Sequence, residues 1–142
     1  MKKIIFVLMA VVGVAFASNA QSPLSLKSQY NLAVDTVTNS GTKYLYSPVI
    51  RTPYKTVTVV FRAEEISGTT AGTATLEAST DGTNWYAYYN SMDSVYTYTL
   101  TDVAAQAFRW YIVNWGDLYL RVKVTGSGTM SDKIYATYTA KQ

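Results

Sequence analysis

Histidine and cysteine are both absent from the 142 residues, and the two absences remove most familiar active-site chemistry. No Ser-His or Cys-His pair, thiolate nucleophile or ordinary zinc site can be built. Disulfides are excluded as well, so packing alone must hold the fold. No glycine-rich segment has phosphate-binding spacing, and nothing calls for a cofactor. Charge of one sign is also scarce. Once Lys2 and Lys3 are set aside, ten basic residues stand against nine acidic ones with no basic run. Nucleic acid and anionic membrane surfaces therefore have no electrostatic foothold.

Long apolar runs are confined to one place. Lys2 and Lys3 precede an unbroken apolar stretch from Ile4 to Phe16, and Ala17-Ser18-Asn19-Ala20 follows with small side chains. This three-part layout is that of a secretory signal peptide cut after Ala20. The run is shorter than the ~20 residues a spanning helix needs. Residue 21 is Gln, not Cys, which argues against a lipid-anchored bacterial product. The expected mature protein is one exported domain over 21–142, a normal size for a single core, with no membrane span once the leader is removed.

What the rest of the chain has in abundance is Thr, Val and Tyr in strict alternation, the pattern of half-buried strands. Over 55–63, Val57, Val59, Phe61 and Ala63 share one side. Over 73–79, Ala74, Leu76 and Ala78 oppose Thr75 and Glu77. Over 118–125, Leu118, Leu120, Val122 and Val124 point inward and Tyr119, Arg121 and Lys123 outward. Ile134, Ala136 and Tyr138 mark a strand over 133–140, and 28–37 and 42–50 are further candidates. Turn clusters at 39–41, 67–70, 81–82, 92–94 and 126–128 separate them. Short strands at regular spacing predict an all-β fold, a two-sheet antiparallel, jelly-roll-like sandwich. A helical turn or two is expected over 102–107, capped by Thr101 or Asp102. Pro48 and Pro53 mark an edge or crossing segment. The segment 108–115, apolar on both sides, reads as a central strand or as one lining a groove.

Ser79-Thr80-Asp81-Gly82-Thr83-Asn84-Trp85 is the most specific local feature. Gly82 is suited to positive φ and Asp81 to bonding its own turn, so both are structural, as is Trp85, expected to cover the sandwich end. Ser79, Asp81, Gly82 and Trp85 form S-x-D-G-x-x-W, which resembles the signature of discoidin-like, galactose-binding-type β-sandwiches. Similar hairpins occur in small sandwich domains of phage and bacterial surface proteins. Leu118 to Val122 resembles a later "R-Y-L-R-V"-like strand of those domains. The resemblance spans about 73–125 and implies the fold. It carries no binding residue over, because the bracketing cysteines and the ligand-reading loops have no counterpart.

A turn at Met92-Asp93 pairs Tyr89 with Tyr96 and Trp85 with Leu100. It places Trp85, Ala87, Tyr89, Tyr96, Tyr98 and Leu100 inside, with Tyr86, Tyr88, Asn90, Thr97 and Thr99 outside. With Trp115, these outward residues are the contact candidates. Carboxylates alone can run glycoside hydrolysis, but Glu77 is expected solvated mid-strand, Glu64 and Glu65 at a strand end and the Asp residues in turns. Enzyme is the least supported class, and one turn carboxylate falls far short of a calcium shell. Two non-catalytic roles remain. Thirteen Tyr exceed what one small core hides, which favours a structural or adhesive subunit of a surface, appendage or virion-like assembly, with protein partners or self-association. The alternative is a carbohydrate-binding module in which Tyr86, Tyr88 and Trp115 stack on sugar while Asn90 and the threonines orient it.

Overall fold

The computed structural model describes residues 22–50, 54–90 and 92–142; the expected leader lies outside them. Eleven strands follow one another: β1 (Leu24–Ser25), β2 (Lys27–Ser28), β3 (Asp35–Thr38), β4 (Thr42–Tyr46), β5 (Tyr54–Ser67), β6 (Gly72–Ser79), β7 (Tyr86–Ala87), β8 (Thr97–Leu100), β9 (Ala105–Trp115), β10 (Tyr119–Gly126) and β11 (Ser131–Lys141). Sheet A has the order β1-β11-β5-β9, with β3 also on β11. Sheet B has the order β2-β4-β10-β6-β7, with β8 also on β6. Every named pairing is antiparallel. The chain alternates between sheets from β1 to β6 and again from β8 to β11, so it is the two-sheet sandwich that the alternation predicts.

The alternation also names the core. Val57, Val59, Phe61 and Ala63 of β5 face Ala74, Leu76 and Ala78 of β6 and Leu120, Val122 and Val124 of β10, all buried. Ile134, Ala136 and Tyr138 join them from β11, and Trp110 and Ile112 from β9. Burying a side chain of this size contributes roughly 1.5–3 kcal/mol, which lets a disulfide-free domain close.

Several expectations need correction. The segment 102–107 is not helical: residues 102–104 form a bend and β9 begins at Ala105, whose pairing opposite Glu64 outweighs a short Ala-rich stretch. The bend is fixed by Asp102, which accepts a bond from the Thr70 amide at 2.9 Å. The segment 108–115 belongs to an edge strand of sheet A, not a central one. Over 28–37, two short strands flank a turn in which Asn31 has φ 61° and Ser28 Oγ accepts the amides of Tyr30 and Leu32. Leu118 is exposed, because β10 starts only at Tyr119. The Pro48–Pro53 segment links β4 of sheet B to β5 of sheet A in sequence. Its first half is tied down by Ile50 N to Leu118 O at 2.7 Å, and Pro53 lies outside the described residues.

Candidate functional site

Because β10 buries its even-numbered residues, Tyr119, Arg121 and Lys123 stand on the outer face of sheet B. Register decides their neighbours. Arg121 lies opposite Tyr46 of β4 and Glu77 of β6; Lys123 lies opposite Tyr44 and Thr75, and Thr75 opposite Thr97 of β8. One more row along, Thr42, Thr125, Thr73 and Thr99 line up across four strands.

The hairpin after β6 completes this surface. Asp81 Oδ1 accepts the amides of Thr83 (2.8 Å) and Asn84 (2.7 Å) and the Ser79 hydroxyl (2.9 Å), while Oδ2 accepts the Asn84 side-chain amide (2.7 Å). These donors, the Asn84 amide foremost, hold its carboxyl well below the usual carboxylate range. Gly82 has φ 74°, and a β-carbon there would sit 3.3 Å from the Tyr119 ring. The turn therefore lies down on Tyr119, and the indole N–H of Trp85 donates to Gly82 O at 3.2 Å.

Trp85 consequently lands on the outside of sheet B, not over the end of the core. Its ring meets Tyr46 edge-on at 5.7 Å and Tyr119 at 6.5 Å. The Arg121 guanidinium is sandwiched, 4.2 Å from the Tyr44 centroid and 4.2 Å from that of Trp85. Glu77 fixes it there, its Oε2 taking both Nε and Nη2 at 2.6 Å. Glu77, expected in solvent, is thus nearly buried under the arginine it holds. Four half-buried aromatic rings and a guanidinium whose side chain is 14% exposed form a platform on the outer face of sheet B.

A second feature lies at the sheet edge. Tyr88, Tyr89, Asn90, Tyr96, Ile112 and Val113 line a groove of about 270 Å³. The hairpin that builds it is slipped by one residue from the expected pairing: Tyr89 bridges Val95, not Tyr96. The strands β7 and β8 both pair with β6. Tyr88 is therefore drawn against the core, 5.8 Å from Tyr96 and 5.3 Å from Trp115. Burial, then Asp117 and Tyr96, raises its phenol pKa. Tyr86 stays outside and donates to Asp117; desolvation first, and then Asp117, push its pKa up to about 12. Asn90 holds the turn through Oδ1, which accepts the amides of Met92 and Ser94.

Of the sequence-selected candidates, Tyr88 and Asn90 share the groove, Tyr86 is outside its lining and bonds Asp117, and Thr97 and Thr99 stand on the outer face of sheet B. Trp115 is elsewhere: only 1% exposed, it is a core residue. Asn114 has φ 56°, and this left-handed step precedes an indole that simple alternation places outside. Sequence reasoning missed Tyr44, Tyr46, Tyr119 and Arg121 as a group. Their alternation was visible, but the register bringing them together spans residues 44 to 121. The nearby carboxylates are engaged, Glu77 by Arg121, Asp81 by its turn and Asp117 by Tyr86, and no group of three potential metal ligands occurs among the described residues. No helix among them is long and apolar enough to cross a membrane.

No protein family and no curated protein matches the sequence. Among solved structures the chain is similar to one described as "CBM4 structure and function", with TM-score 0.49, 14% identity, 89% of this chain and 83% of that one covered. It is also similar to the CBM22-1 xylan-binding domain of Paenibacillus barcinonensis Xyn10C, at TM-score 0.48 and 10% identity over 88% and 99% of the two chains. A third is the enzymatically active domain of bacteriophage CBA120 tailspike protein 4, at TM-score 0.46 and 13% identity over 81% of this chain and 19% of that one. Likeness this distant is a matter of shared β-sandwich architecture.

Proposed function

We propose that this chain is an exported, non-catalytic glycan-binding domain whose contact surface is the outer face of sheet B. The observation that carries the proposal is the Tyr44–Arg121–Trp85 stack, flanked by the half-exposed Tyr46 and Tyr119 on the outer face of sheet B. Aromatic rings in a core are explained by packing; rings gathered on an outer sheet face, with a guanidinium held between them, are not. Sugar rings offer apolar C–H faces and a rim of hydroxyls. Tyr and Trp provide area at little entropic cost, while Thr75 and Thr97 supply the few polar groups that fix orientation. The absence of His and Cys and the engagement of the nearby carboxylates support a binding role over catalysis. Affinity electrophoresis against a panel of soluble polysaccharides tests the proposal. At least one should retard the protein, and Trp85→Ala should abolish the retardation.

A structural or adhesive subunit remains the second reading, favoured by a different surface. Along the β9 edge, Tyr111 and Val113 are 55% and 58% exposed beside the equally open Tyr89, a strip suited to protein contact. Light scattering on the leader-free protein, compared with Tyr111→Ser/Val113→Ser, distinguishes this role: assembly lost in the variant supports it, and a monomeric parent removes it.

A further inference from the structure

Resting on the glycan-binding reading above, we propose that the glycan is acidic, bearing carboxylate or sulfate groups that Lys27 and Lys123 meet. Three observations converge. First, a cavity of about 620 Å³ opens at the β2 side of the platform, walled by Tyr46, Pro48 and Leu24, with Lys27 and Asn31 in its lining. This volume lies within the range of small-ligand sites, roughly 300–1,000 Å³. Two of its polar side chains are engaged: Ser28 Oγ accepts two backbone amides, and Ser47 Oγ accepts that of Leu120 at 3.1 Å. Lys27 is the one charged side chain in the lining, beside Asn31, Ser25 and Tyr46.

Second, register sets the two lysines on either side of the platform's tyrosines. Lys27 is opposite Tyr46, and Tyr44 is opposite Lys123. Two strand spacings across and two residues along put their α-carbons roughly 12 Å apart. A chain lying over Tyr44 and Tyr46 passes between them.

Third, the charges on this face do not balance. Glu77 neutralises Arg121 through two 2.6 Å contacts to one oxygen, and its other oxygen is 3.9 Å from Lys123 Nζ, a loose approach by a 40% exposed side chain. Lys27 makes no ion pair among the described residues. Asp81, exposed and hydrogen-bonded within its own turn, lies at the Trp85 end, and Lys27 is the charge at the cavity. A neutral polysaccharide would leave Lys27 without an ion-pair partner and Lys123 with only its loose approach to Glu77; an acidic one supplies a partner to each.

The test uses matched pairs of probes: polygalacturonate against its methyl ester, and a sulfated galactan against its desulfated form. The leader-free protein should bind an acidic member at least about fivefold more tightly than its neutral partner at low salt. Near 1 M salt, where the Debye length is about 3 Å, the gap should close. The Lys27→Gln/Lys123→Gln variant should lose the gap while keeping its affinity for the neutral partner, which also reports that the fold is intact. Preference for polygalacturonate alone assigns carboxylate, and for the sulfated galactan alone, sulfate. Equal binding within both pairs, or a gap that survives in the double variant or at high salt, overturns the inference and leaves glycan binding standing. Retention of neither member of either pair overturns the acidic assignment; only failure across the whole polysaccharide panel overturns glycan binding itself.

Discussion

The guanidinium carbon of Arg121 lies 4.2 Å from the Trp85 ring centroid, and this contact ties the hairpin after β6 to the middle of sheet B. Cation–π contacts of this kind contribute about 0.5–2 kcal/mol, depending on how far they are desolvated. The same arginine is held by Glu77, so the stack and the ion pair depend on one planar group.

Replacing Arg121 with Lys keeps the charge but removes the plane and the fork that serve Trp85, Tyr44 and Glu77 together. The variant should fold, lose about 1–2 kcal/mol, and show red-shifted tryptophan emission, since Trp110 and Trp115 are buried and Trp85 is the indole freed to solvent. Urea unfolding with fluorescence detection reads both changes. Unaltered emission would mean that Arg121 does not fix the Trp85 ring.

Tyr86 and Tyr88, which simple alternation places together on the outside, differ in burial. Tyr88→Ser should cost about 2–4 kcal/mol, because its ring packs on Trp115 and Tyr96. Tyr86→Ser removes a ring that is 47% exposed and its bond to Asp117, and should cost about 1 kcal/mol or less. Equal effects on thermal midpoint would contradict this difference in packing.

Asp132 is buried, with Thr70 Oγ1 donating at 2.8 and 3.0 Å to its two oxygens. Burial, with a further push from Asp102, raises its pKa above 3.8, and the Thr70 bond only partly offsets this. The folded state then holds the proton more tightly than the unfolded one. Ionising Asp132 therefore carries a stability cost that is absent below the unfolded pKa and complete above the folded one. Relative to the parent, Asp132→Asn should therefore gain stability as the pH rises from about 3.8 to 7. Urea midpoints at both pH values check the sign, and a relative loss at neutral pH would contradict it.

Export predicts a mass change. The protein recovered from an oxidising compartment should begin at Gln21, and intact-mass spectrometry should find the first twenty residues missing. A chain still starting at Met1 would contradict the leader assignment.

Much of the fold was legible because period-two alternation survives in β5, β6, β10 and β11, where one face is buried and the other is not. It failed where that contrast is absent. Residues 85–98 carry Tyr at both parities, so no burial penalty distinguishes one register from its neighbour, and the one-residue slip is invisible in sequence. Trp115 was misplaced because the left-handed Asn114 breaks the alternation just before it. The platform was hidden for another reason. Tyr44, Glu77 and Arg121 each look like ordinary outward residues, Trp85 reads as the cover of the sandwich end, and only long-range strand pairing makes them one surface.

The central claim is that the rings around Arg121 bind glycan. The most direct measurement is isothermal titration of the tightest-binding polysaccharide into three proteins: the leader-free parent, Trp85→Ala, and Tyr111→Ser/Val113→Ser. The account predicts binding by the parent and the edge-strip variant with similar affinity, and at least about a tenfold loss in Trp85→Ala, as expected when a stacking ring worth about 1.4 kcal/mol or more is removed. Full affinity in a folded Trp85→Ala, or binding lost only when the β9 strip is changed, would contradict it.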